Sequence, residues 1–185
     1  SLGTVPTLNG DTIAFTSSSA TCSLNVAGTC SILDFTAYNK QFRFNANALA
    51  VFGNVTFNPQ MSFSFSTTTA YNAFNLAIAT SSTITSNGCT VGAPLTLYNF
   101  SPANNTYTLA DRLVLAENFS TAANAGSLTH SINGNYLDCY KNCQFNLGTI
   151  AVSTNTAGTA TVSMVGTVAG AFQTGVASSA GTTIN

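Results

Sequence analysis

The chain has 185 residues, and only nine are charged: four Lys or Arg and five Asp or Glu. That is 5% of the chain, whereas soluble domains usually carry about 25%. Four scattered cations make no patch for a phosphate backbone or an anionic membrane, and no apolar run approaches the roughly 20 residues of a membrane helix. The composition therefore argues against nucleic-acid binding and against a membrane span.

Polarity comes instead from neutral side chains, namely 49 Ser or Thr and 21 Asn. Because 45% of the residues are hydrophobic, the chain can bury a core and lacks the signature of disorder. Because the chain has only five Asp or Glu, their protonation in acid changes the net charge little. Charge repulsion should therefore not destabilise the fold at low pH. The chain starts at Ser1, which we interpret as a secreted, extracellular product whose signal peptide has been removed.

The first predicted element is an apolar strand at residues 1–16, followed by a Ser/Thr linker at 17–21. An ordinary first strand of the same domain would have this pattern. A donor strand that completes the sheet of a neighbouring subunit would have it too, since alternate apolar side chains fill pockets while the main chain pairs. Such a head-to-tail contact propagates into a filament. The donor side chains would be Leu2, Val5, Leu8, Ile13 and Phe15.

Residues 22–185 form the predicted head domain, in which apolar and polar side chains alternate as in half-buried strands. Segments 41–45, 61–66 and 160–168 show this most clearly. Turn-forming pairs such as Asn87-Gly88 separate the strands, and we find no repeat of fixed period. The pattern predicts an all-β fold, an antiparallel β-sandwich of about 9–11 strands that is immunoglobulin-like or jelly-roll-like.

The five cysteines suggest disulfides, as is usual in secreted β-proteins. Cys22 and Cys30 flank a segment that a small hairpin would close, and Cys139 and Cys143 flank a tight turn. We predict that these four residues form disulfides. Cys89 stays unassigned, and its pairing with either late cysteine remains open.

Few side chains suit catalysis. His130 is the only histidine, and its apolar neighbours on the same strand face favour a core or rim position. Asp111 and Glu117 are the nearest acids, but glycoside hydrolysis needs two acids that face one cleft. We therefore predict no enzyme, no metal and no cofactor. A zinc site is the alternative, although Cys-X3-Cys departs from the usual spacing; its ligands would be Cys89, His130, Cys139 and Cys143.

Four Asn-X-Ser/Thr sequons predict N-linked glycans. The pattern is weak by itself, because a chain rich in Asn, Ser and Thr produces sequons by chance. Three of the four fall within residues 99–120, in segments that look like strand ends and loops. The acceptor residues are Asn54, Asn99, Asn104 and Asn118.

Taken together, these features resemble the subunits of archaeal threads, the surface filaments of thermoacidophilic archaea, and of the related archaeal bundling pili. The residues that carry the resemblance are 2–15, the linker Ser17-Ser18-Ser19 and the sequon asparagines. The resemblance implies a donor strand inserted into the next subunit, glycans on the outside, and roles in adhesion and biofilm cohesion.

The sequence therefore predicts a structural subunit of an extracellular filament, whose partners are identical subunits and other cells or surfaces. A viral coat or surface-layer glycoprotein would share this composition. Another alternative is a monomeric secreted adhesin or carbohydrate-binding module that stacks sugars on aromatic rings. Its candidate platforms are Tyr98, Tyr107, Tyr136 and Tyr140.

Overall fold

A computed structural model describes residues 11–16, 21–65, 73–99, 101–123, 128–131, 135–141, 143–145, 160–164 and 182–184. In this part the chain is a β-solenoid of about five turns, and every strand pairing is parallel. The all-β prediction is confirmed, but the predicted antiparallel β-sandwich is wrong.

The described residues form 20 short strands. In chain order they are β1 (Thr12–Ala14), β2 (Cys22–Ser23), β3 (Gly28–Cys30), β4 (Ile32–Asp34), β5 (Gln41–Arg43), β6 (Leu49–Val51), β7 (Val55–Thr56), β8 (Ser62–Ser64), β9 (Phe74–Ile78), β10 (Ser82–Thr85), β11 (Thr90–Val91), β12 (Leu95–Asn99), β13 (Asn105–Leu109), β14 (Leu113–Leu115), β15 (Phe119–Ala123), β16 (Leu128–Ser131), β17 (Tyr136–Cys139), β18 (Cys143–Phe145), β19 (Ala160–Met164) and β20 (Thr182–Ile184).

From β1 to β18, three consecutive strands make one turn, and each contributes to a different face of the solenoid. Face A is the sheet β1-β4-β7-β10-β13-β16, and face C is the sheet β3-β6-β9-β12-β15-β18. Face B begins as the sheet β2-β5-β8 and continues as β11-β14-β17-β19-β20. The two parts of face B meet where β8 and β11 contact each other.

The sandwich prediction failed because alternation does not report strand direction. Parallel sheets are usually covered on both sides and read as continuous apolar runs. In a solenoid one side of each parallel sheet faces the core and the other faces solvent, so the sequence alternates as an antiparallel sheet would. The repeat was hidden as well, because partners are 20 residues apart at Thr12 and Ile32 but 29 apart at Val55 and Ile84.

The core is a continuous stack of apolar side chains in which each turn covers the next. Phe15 stacks on Phe35 with ring centroids 4.6 Å apart, and Phe35 stacks on Phe57 at 6.2 Å. Burying each of these large rings stabilises the fold by about 2–3 kcal/mol. The stack also fixes the register, because a slip by one residue would turn the rings outward.

The predicted donor strand lies partly within its own solenoid. β1 pairs with β4 through Ile13 and Leu33, and both Ile13 and Phe15 pack against the core. Leu2, Val5 and Leu8 lie outside the described residues. In this chain, then, the last two predicted donor side chains fill the first turn of their own fold rather than the groove of a neighbour.

Asparagine amides join successive turns at the corner between faces A and B. A strand that stops at a corner leaves main-chain carbonyls without ladder partners, and the amides of this corner donate to carbonyls one turn below. The bonds run from Asn58 Nδ2 to Thr36 O (2.6 Å), from Asn87 Nδ2 to Phe57 O (2.8 Å) and from Asn135 Nδ2 to Leu109 O (3.0 Å).

The predicted Asn87-Gly88 turn is confirmed in conformation, with φ of 51° and 79°. It does not close a hairpin, however. It lies in the same corner and leads from β10 on face A to β11 on face B. The positive φ that favours Asn and Gly in hairpins serves equally well to turn a solenoid corner.

Replacing Asn58 by Ala tests the corner bonds. The Asn58 side chain donates to Thr36 O and accepts from the Gln60 amide (2.8 Å), so Asn58→Ala should lower the free energy of unfolding by about 1–2 kcal/mol. The matched control is Asn39→Ala in the same corner, since Asn39 is exposed. Denaturant titration measures both variants, and equal losses would contradict the role given to Asn58.

Candidate functional site

The nine charged residues are unevenly distributed over the three faces, and all of them belong to the described residues. None lies on face C, and on face A none lies beyond β4. Asp11 and Asp34 lie in the first two turns at face A. The other seven lie on face B or at its two corners: Lys40, Arg43, Asp111, Arg112, Glu117, Asp138 and Lys141.

Most acids on this side have structural partners. Asp111 accepts hydrogen bonds from the amides of Ser86 (2.7 Å) and Asn87 (2.6 Å). Lys141 Nζ contacts Glu117 at 2.6 Å. Asp111 and Glu117 therefore bind different partners. They do not form the pair of acids facing one cleft that glycoside hydrolysis needs.

Asp138 is buried and pairs with Arg112, whose Nε donates to Asp138 Oδ2 at 2.6 Å. The Arg112 guanidinium also lies 6.0 Å from the centre of the Tyr136 ring, within the range of a cation–π contact. This cluster joins two turns of face B.

Face A carries a regular group of threonines on its outer side. Ser82, Ile84, Tyr107 and Leu109 point inward and are at least 94% buried, so the residues between them point outward. The threonine array consists of the half-exposed outward residues Thr56, Thr83, Thr85, Thr106 and Thr108.

The strand register places the array in columns. Thr85 is the partner of Thr56, and Thr83 is the partner of Thr108. β16 continues the pattern along the backbone, with Thr129 as the partner of Thr106. Neighbours in a column are therefore roughly 4.8 Å apart, and neighbours along a strand are roughly 6.6 Å apart.

Within the described part of the chain, the five hydroxyl groups of the array make no hydrogen bond, although the main-chain amides of Thr83 and Thr106 bond to Asn54 and Ser81. Face C differs, because the hydroxyls of Thr96 and Ser120 bond to each other at 2.9 Å. Threonine is stiff at χ1, so the array holds hydroxyl and methyl groups in fixed positions at the surface.

Face B carries an open polar groove of about 410 Å³ lined by Gln41, Arg43, Asn45, Ser64 and Phe65. Arg43 Nε donates to Gln41 Oε1 at 2.7 Å, and Asn45 Nδ2 donates to Asn25 Oδ1 at 3.1 Å. The polar groups of the groove are thus partly satisfied by one another.

The four predicted glycan acceptors lie in different environments. Asn54 and Asn104 are exposed, and Asn118 is half-buried. Asn99 is fully buried, and its Nδ2 donates to Ala103 O at 2.9 Å. A glycan on that nitrogen is incompatible with this corner, which Asn105 Nδ2 completes by donating to Asn99 Oδ1 at 3.0 Å.

The predicted hairpin between Cys22 and Cys30 does not form, because these residues lie on different faces, in β2 and β3. Both thiols are free. Burial raises the pKa of Cys30 to about 12 and that of Cys89 likewise to about 12. The Cys30 and Cys89 thiols are therefore unreactive apolar groups at neutral pH.

The second predicted disulfide and the zinc alternative depend on residues near the end of the described part. Cys139 is buried in β17, and Cys143 begins β18, where its side chain lies outside the described residues. The disulfide between them stays a prediction. Among the described residues, no three His, Cys, Asp or Glu side chains come together as metal ligands.

The four candidate tyrosine platforms do not form a surface together. Tyr107 is buried, Tyr98 is half-buried on face C, and Tyr136 and Tyr140 are 50% and 45% exposed near face B. His130 is the Cα partner of Tyr107, and its side chain lies outside the described residues.

Sequence reasoning missed the threonine array. Its signal was present, because Thr-X-Thr occurs at 83–85 and again at 106–108. In a chain with 49 Ser or Thr these two motifs do not stand out, and only the solenoid register brings them side by side.

No protein-family model, curated protein or solved structure matches this chain. The described residues include no helix with the length and hydrophobicity of a membrane span.

Tyr107→Phe tests the interior of face A. The Tyr107 hydroxyl is buried and has no hydrogen-bond partner among the described residues, and burial raises its pKa well above the usual value. Removing an unsatisfied buried hydroxyl should raise the free energy of unfolding by about 1 kcal/mol. Thermal and denaturant unfolding measure it. A clear loss of stability would contradict an unsatisfied hydroxyl.

Glycopeptide mapping of protein from a glycosylating host tests the sequons. We expect a glycan at the exposed Asn104 and none at Asn99, whose amide nitrogen is buried and bonded. Asn104→Gln should remove the corresponding mass. A glycan at Asn99 in folded protein would contradict the corner described here.

Proposed function

We propose that this protein is a non-catalytic extracellular solenoid that acts through its flat outer faces, binding an extended partner surface. The observation that carries the proposal is the segregation of charge. Seven of nine charged residues lie on face B and its corners, which leaves face C and face A beyond β4 uncharged. Removing an ionised side chain from bulk water is costly, so an uncharged face is the easier one to bring against a partner surface.

The interior supports a binding role over catalysis. Its described side chains are almost all apolar, and burial raises the pKa of the Cys30 and Cys89 thiols. The acids near face B have structural partners. Because the described core is filled with packed apolar side chains, a partner would bind at the outer surface.

A filament or surface-layer subunit is the second candidate, because uncharged sheet faces could also pack between copies of this chain. The contact would differ from the one expected from the sequence. Ile13 and Phe15 support their own core, and the β-sandwich on which the resemblance to archaeal threads depended is not the fold.

Charge substitutions separate these possibilities. Thr106→Lys adds a cation to face A, whereas Thr90→Lys adds one to face B, where Thr90 is already exposed. We expect purified protein to be depleted from solution by an extended solid, or to self-associate in sedimentation velocity. Thr106→Lys should reduce that binding, and Thr90→Lys should not.

Two results would overturn the proposal. One is a wild-type protein that stays monomeric and binds none of ice, crystalline cellulose and crystalline chitin. The other is equal binding by both lysine variants and the wild type. Unfolding curves for each variant confirm that the fold is retained.

A further inference from the structure

We infer that the partner of the threonine array is ice, held through an ordered layer of water on face A. The inference rests on the proposed function and names the partner of that same face. Its basis is a two-dimensional array of hydroxyl and methyl groups at regular spacing on the part of face A beyond β4, which carries no charged residue.

The spacing favours an ordered water lattice. Array residues repeat roughly every 4.8 Å across strands and roughly every 6.6 Å along a strand. Waters anchored on the array would therefore be held at the same two repeats. The register makes the pattern two-dimensional, since Thr83 has Thr108 beside it across the strands and Thr85 beside it along the strand.

The chemistry of the side chains fits the same partner. A threonine hydroxyl can anchor one water, and its methyl group favours a cage of waters around it. Among the described residues the five hydroxyls have no partner, and the inference places ordered waters on them. Because χ1 is stiff in β-branched residues, little side-chain entropy is lost when the waters become ordered.

The absence of charge on the array also favours ice over an ionic surface. An ionised side chain orders water around itself and is costly to strip of that shell. The array has none: the nearest acid along its columns is Asp34, the partner of Thr56, at the edge of the array. Asp111, which follows the end of β13, has both carboxylate oxygens bonded to main-chain amides. An uncharged array thus faces an uncharged lattice.

Crystalline polysaccharides fit the array less well. Sugar rings bind flat aromatic side chains by stacking, and among the described residues no aromatic side chain lies beside the array on the outer side of face A. The described tyrosines near the surface lie on face C or near face B. A polysaccharide surface is therefore an outcome that the test must distinguish.

The experiment measures thermal hysteresis and the share of protein taken into a slowly growing ice hemisphere. Protein comes from a host without N-glycosylation, because a glycan at Asn54 would stand beside Thr83. We expect wild type to enter the ice and to show thermal hysteresis. Thr83→Tyr and Thr106→Tyr should lose both properties, because a bulky ring breaks the array.

The matched control is Thr96→Tyr, which makes the same change on face C, where the Thr96 hydroxyl is already bonded to Ser120. It should enter ice like the wild type. Two array variants are used so that one misfolded variant does not decide the result, and unfolding curves identify it. Exclusion of the wild type from ice, or entry of both array variants, would overturn the inference.

Depletion by crystalline cellulose and chitin, together with sedimentation velocity, separates the two proposals. If the wild type is excluded from ice but binds a polysaccharide or itself through Thr83, then ice is the wrong partner and the proposed function stands. If it binds none of these, both proposals fail.

Discussion

The structure depends on one constraint, namely that each turn of the chain must bury its apolar side chains against the turn above and the turn below. The Phe15–Phe35–Phe57 stack shows the consequence. Phenylalanine recurs at the same position of three successive turns, so each ring packs against another ring. Parallel pairing keeps that position aligned from turn to turn, and asparagine amides secure the corners where the ladders stop. Register, corner chemistry and surface pattern all follow from this vertical alignment.

The same alignment arranges the neutral polar residues into regular columns on the outer faces. Solvent-facing positions stack just as core positions do, so neutral residues that are scattered in the sequence become columns on a face. Thr83 and Thr108 are 25 residues apart in the chain and adjacent in the sheet. The few charged residues collect on face B and its corners, where Arg112 and Asp138 join two turns. An uncharged face therefore has two causes. The chain has only nine charged residues, and the turns of the solenoid place most of them on face B and its corners.

Several single-residue expectations depended on local context that the chain could not reveal. Asn99 fits the sequon pattern as well as Asn104 does, yet only Asn104 is exposed, because Asn99 closes a buried corner. Ile13 and Phe15 fit an apolar donor strand, and they fit equally well the first turn of a solenoid. Cys22 and Cys30 are eight residues apart, but a corner between them places them on different faces.

The sequence by itself determined the all-β class, the alternation of buried and exposed residues, the turn at Asn87-Gly88 and the scarcity of charge, because each depends on residue type or near neighbours. The tertiary structure decided strand direction, the number of turns and the threonine array, because these depend on partners 20 or more residues away at a spacing that varies. Period-2 alternation is the same in a sandwich and in a solenoid, and only long-range register distinguishes the two.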